Sequence, residues 1–140
     1  MTDNTLRKSI YVKASRAQVW DFLTQPAQMK TWFHAPKAPL ALGEHFELFS
    51  TDSDEKLIWG RVRDFSEAER LEHTFSVPDM DGEKSKVIWT LKDAEPGTRV
   101  SLVHSGLPRG AQKFDLLLAL DKGWDAHIAD LRTQLIALTD

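Results

Sequence analysis

The chain has 140 residues, no cysteine and a net charge of −3 spread without long runs. Its length suits one domain with its own core, and the missing cysteines exclude a disulfide framework, a thiolate nucleophile and a cysteine metal site. The charge argues against a nucleic-acid binder working through a basic face. The first five residues, MTDNT, lack the basic and apolar regions of a secretory leader, and the most apolar run, 116–120, is too short to span a bilayer. The expectation is a soluble cytoplasmic protein with no membrane partner. Five tryptophans and seven phenylalanines against one tyrosine favour rings that fill space or line cavities.

Residues 6–13 alternate, with Leu6, Ile10 and Val12 on one face, and predict an antiparallel strand whose apolar face is broken by Lys8. Ser15 precedes Gln18 by three residues, a capping-box spacing, and Val19, Trp20, Phe22 and Leu23 give the following helix its apolar face. Pro26 suits the first turn of a second short helix carrying Met29, Trp32 and Phe33. Pro36 and Pro39 close it and lead to Gly43.

Strands follow. Residues 44–50 form one, the polar stretch 51–55 turns, and 56–65 form the next. Residues 70–77 put Leu71, His73, Phe75 and Val77 on one face. Asp81-Gly82 signals the hairpin to 84–91, where Val87, Trp89 and Leu91 share a face. Pro96-Gly97 fits a type II turn, with glycine taking the positive φ, before the last strand, 98–104, with Val100, Leu102 and His104 together. Residues 105–110 break the pattern. From 112 to 138, Phe114, Leu117, Asp121, Trp124, Ile128 and Leu131 recur at three- and four-residue steps, continued by Leu135 and Leu138: one long amphipathic helix. Such a stripe needs a large surface to cover it, and the strands are the obvious partner. Short connections between them favour a meander, and the segregated helices favour α+β.

Where helix and sheet stand apart, a cavity can form. Trp32, Phe33, Trp59, Phe75, Trp89, Phe114 and Trp124 fall on segments expected to border that space, as core or as lining for an apolar or aromatic molecule. Gly123 either admits a close approach beside Trp124 or marks a bend. Asp121, on the apolar stripe, must meet water, a base or a polar ligand group. His73 and His104 can donate hydrogen bonds into a cavity or act as a base, with a histidine satisfied by its neighbours as the plainer reading, and His127 has the same alternatives. Arg61 and Arg63 share a face with Trp59, more simply a solvent-facing one than an anion site. Five histidines without a paired zinc motif make a metal unexpected. No Gly-x-Ser-x-Gly elbow and no phosphate-binding glycine loop is present, so no catalytic residue and no cofactor is assigned.

The order of elements, with the motifs at 10–22 (IYVKASRAQVWDF), 29–33 (MKTWF), 60–62 (GRV), 70–75 (RLEHTF), 97–108 (GTRVSLVHSGLP) and 123–124 (GW), resembles the START-like, or helix-grip, superfamily, also called SRPBCC. More narrowly it resembles the homologues of the activator of the ninety-kilodalton heat-shock-protein ATPase. The resemblance covers nearly the whole chain. It implies a curved antiparallel sheet of about six strands wrapped around a long C-terminal helix, with two short helices after the first strand. It also implies a functional range from lipid carriers and hormone receptors to polyketide cyclases and co-chaperones. The leading expectation is non-catalytic binding of a small hydrophobic or aromatic molecule between sheet and helix. The alternatives are a co-chaperone-like module stimulating a heat-shock-protein ATPase, and a cyclase or hydrolase using His104, His73 or Asp121. Monomer and homodimer both fit.

Overall fold

The computed structural model describes residues 4–139; residues 1–3, part of the stretch read for a leader, lie outside it. The elements run β1 (Leu6–Val12), α1 (Arg16–Thr24), α2 (Pro26–Met29), β2 (His45–Phe49), β3 (Lys56–Ser66), β4 (Arg70–Phe75), β5 (Ser85–Ala94), β6 (Gly97–Ser105) and α3 (Phe114–Thr139). The strands form one antiparallel sheet in the order β1-β6-β5-β4-β3-β2. Strands β2 to β6 are the expected meander, and β1 closes the far edge by pairing with β6, Ile10 opposite Val100. Register shifts at Leu48/Phe49 and between Val62 and Asp64 mark bulges, which bend the strands that carry them.

The capping box forms as read: Gln18 N donates to Ser15 Oγ at 3.2 Å, and Ser15 N donates to Gln18 Oε1 at 2.9 Å. The second helix is shorter than expected, so Trp32 and Phe33 sit in the turn that follows it. Trp32 fastens that turn to α1 by donating its indole N–H to the Phe22 carbonyl at 2.8 Å.

Two turns differ from expectation. Glu95-Pro96 is cis and forms a two-residue connection, with Ala94 opposite Gly97, so proline occupies the third position of a type VI turn. Gly97 has no positive φ. Its requirement is room, since a Cβ there would lie 1.9 Å from the Val12 carbonyl oxygen. Asp81 and Gly82 do take positive φ, at 54° and 88°, but after a 3-10 turn (Pro78–Met80) inside a longer connection.

One face of the sheet packs against α3 through Trp124, Ile128, Leu131 and Leu135, all buried. The two stray polar residues of the apolar stripes explain each other. Lys8 reaches from β1 to α3 and pairs with Asp121 at 2.6 Å and Asp125 at 2.8 Å.

Candidate ligand-binding site

Trp124 of α3 is the centre of a ring cluster that also draws on the turn after α2, β4, β5 and β6 through Phe33, Phe75, Trp89 and His104. Its ring stacks on Phe33 (centroids 5.4 Å apart) and meets Trp89 edge to face at 5.8 Å, while Trp32 lies against both Phe33 and Trp89. Edge-to-face and offset pairs of this kind are the favoured arrangements of aromatic quadrupoles. Beneath the cluster runs a hydrogen-bonded relay. Trp124 Nε1–H donates to His104 Nδ1 at 2.9 Å, His104 Nε2 meets Ser85 Oγ at 2.7 Å, and that hydroxyl donates to the Phe75 carbonyl at 2.9 Å.

The donors fix the tautomer. Indole can only donate, so His104 Nδ1 is the acceptor and Nε2 carries the proton. Burial pushes His104 down to about 3, with His73 adding to the effect. His73 itself is pushed down to about 4 by burial, against weaker opposing pulls from its Nδ1–H bond to the Thr74 carbonyl and from Glu72. Both rings are neutral at physiological pH. His104 has no free lone pair to act as a base.

On one flank of α3 a cavity of about 200 Å³ opens beside this cluster. Its floor and one side are Phe33, Leu57, Ile58, Phe75 and Val77, from the turn after α2 and the facing ends of β3 and β4. The α3 side is formed by Trp124 and Leu120 together with Ala119, Gly123 and His127, which follow one another at four-residue steps. A Cβ at Gly123 would meet nothing within 4 Å, so this glycine opens space rather than admitting a neighbouring chain. His34 completes the mouth, its ring 5.1 Å from that of His127.

Of the residues singled out from sequence, Phe33, Phe75, Gly123, Trp124 and His127 line the cavity. Trp32, Trp89 and His104 are buried as a second layer behind it, and His73 is buried under Phe46. The other three lie elsewhere. Trp59 is on the opposite face of β3 from the buried Ile58 and Val62, with Lys56 Nζ 4.9 Å from its ring centroid. Phe114 is 55% exposed, and Asp121 is engaged by Lys8 on the other flank of α3. Arg61 and Arg63 are exposed, as the simpler reading had it. Sequence reasoning overlooked His34, Leu57, Ile58, Val77, Ala119 and Leu120 as lining. Only the 119–123–127 spacing of α3 carried a signal for one of them.

A curved antiparallel sheet closed around a C-terminal helix, with a hollow between them, is the helix-grip fold of the START-like superfamily. Residues 13–135 match the family model described as Activator of Hsp90 ATPase homolog 1-like protein, and the chain belongs to that family. Solved structures of the same fold include MLL2253 from Mesorhizobium loti (22% identity, TM-score 0.82, covering 97% of this chain and 98% of that one). The Aha1 dimer from Colwellia psychrerythraea matches at 17% identity and TM-score 0.78, over 96% of each chain. DynU16, a protein of the dynemicin biosynthetic locus, matches at 23% identity and TM-score 0.80 over 96% of this chain, which spans 48% of the DynU16 chain. No curated protein matches the sequence. Among the described residues, no helix is long and apolar enough to cross a membrane.

Proposed function

We propose that this protein binds a small hydrophobic or aromatic molecule in the cavity beside Trp124 and does not transform it. The observation that carries the reading is the open, side-chain-free position at Gly123 in a mostly apolar wall. Glycine in mid-helix costs about 1 kcal/mol against alanine, and a larger side chain there would project into the hollow. A ring that buries roughly 150–250 Å² of apolar surface gains about 4–6 kcal/mol at 25 cal/mol per Å². The absence of turnover is supported by the two deeply buried histidines, whose rings are neutral and, for His104, fully hydrogen-bonded.

Native mass spectrometry of the purified protein, with tryptophan fluorescence against a panel of lipids and small aromatics, tests the proposal. A co-purified or saturably quenching ligand supports it; silence across the panel counts against it. A second reading, a partner-binding module acting on a heat-shock-protein ATPase, is favoured by the family match and by Phe114 and Leu118, 55% and 51% exposed one turn apart on α3. It predicts stimulation of Hsp90 ATPase activity that is lost when both are replaced by serine.

A further inference from the structure

The polar side chains at the cavity are two imidazoles, and His127 is held in place from behind. His127 donates Nδ1–H to the Trp32 carbonyl at 3.1 Å, since a carbonyl can only accept. In the neutral ring its Nε2 is then the acceptor. The backbone beside His34 is anchored: the next residue, Ala35, exchanges two backbone hydrogen bonds with Phe49 of β2, at 3.3 and 2.9 Å. Phe33 packs against both imidazoles, with centroids 5.0 Å from His34 and 4.8 Å from His127. Among the described residues, His34 meets no hydrogen-bond partner through either ring nitrogen. Burial, and then the nearness of His127, holds His34 below its ordinary range, so it is neutral at physiological pH. Among the described residues, no side chain lining the cavity carries a permanent charge.

From this arrangement we infer that the cavity takes a small neutral phenol, its ring against Phe33, Phe75 and Trp124 and its hydroxyl between His34 and His127. The inference rests on the cavity reading above and narrows it to a ligand class. A phenolic hydroxyl is both donor and acceptor: it gives its proton to His127 Nε2 and accepts from an N–H of His34. A carboxylate would find no cation on these walls and would lose its hydration without compensation. A plain hydrocarbon would give no partner to His127 Nε2 or to the His34 ring nitrogens. Size points the same way. An engineered apolar cavity of about 150 Å³ in another protein holds benzene, so about 200 Å³ here suits a single substituted ring rather than a fused multi-ring skeleton.

The test compares 4-ethylphenol with ethylbenzene, near-isosteres that differ by the hydroxyl, by amide and indole NMR titration of the full chain. The expected result is saturable shifts at Gly123 and the Trp124 indole, with 4-ethylphenol bound about ten-fold more tightly. In His34→Phe, which breaks no hydrogen bond within the protein, the two affinities should converge to within about two-fold. Equal affinities in the unaltered protein overturn the phenol assignment and leave the cavity reading standing. Shifts from neither probe overturn both. A preference that survives in folded His34→Phe removes His34 from the clamp and overturns the two-imidazole site. The comparison in the unaltered protein decides the ligand class even where the variant does not fold.

Discussion

Acidification from pH 7 to pH 5 should destabilise this protein by about 4 kcal/mol through two buried histidines alone. In the unfolded chain each imidazole takes up a proton near 6.5, whereas burial holds His73 to about 4 and His104 to about 3 in the fold. Between those values the unfolded state binds protons that the folded state excludes, so stability is fully present above 6.5 and is lost as pH falls toward the folded values. Integrated from pH 7 to pH 5, each histidine contributes a loss of about 2 kcal/mol. A domain has only about 5–15 kcal/mol to lose. Asp64 titrates in a separate window: its hydrogen bond from Arg70 holds it below its ordinary 3.8, so its contribution disappears only at lower pH. Urea unfolding followed by far-UV circular dichroism at pH 7, 6 and 5 measures the slope. His104→Gln keeps an acceptor for Trp124 and a donor for Ser85 but cannot titrate, so its loss over the same range should fall to about 2 kcal/mol. A loss below about 1 kcal/mol in the unaltered protein, or the same loss in the variant, would refute the assignment of neutral buried imidazoles.

Two substitutions probe the helix wall. Gly123→Ala should raise stability by about 1 kcal/mol, read as a higher urea midpoint at unchanged slope, because the added methyl meets open space and glycine is the poorer helix former. A decrease would mean that the wall is closed there. Trp124→Phe keeps the ring but removes the indole donor, leaving His104 Nδ1 buried and unpaired. It should cost about 1–3 kcal/mol in the same assay, and a neutral result would argue that the relay is not formed.

The fold was legible because each long element declares its period. The 3.6-residue stripe of α3, the alternation of β3 to β6 and the Ser15–Gln18 box are local signals, and the structure realises them. The turn at Pro96 was misread because proline fits the second position of one turn and, when cis, the third of another, and sequence does not reveal which. The site was harder to read. Periodicity says which rings face inward but not whether the space they face is filled, so Trp89 and Phe75 looked equivalent until their neighbours were known. Trp59 looked like a wall residue because it is large and apolar; strand alternation places it beside Arg61, on the outer face. Lys8 and Asp121 looked like separate anomalies, since nothing local reveals that residues 113 positions apart are partners. His34 sits in an irregular turn with no period at all, and only the folded chain brings it to His127.

The central claim, that the space beside Trp124 is a ligand site, is tested most directly by calorimetric titration of 4-ethylphenol into the unaltered protein and into Gly123→Leu. A leucine there projects into the hollow without meeting another atom of the protein near its Cβ, so the fold should persist while the space is filled. Saturable binding by the unaltered protein is expected, weakened by at least about ten-fold in the variant, with thermal stability retained or raised. Equal binding by the two proteins would place the ligand elsewhere and contradict the account.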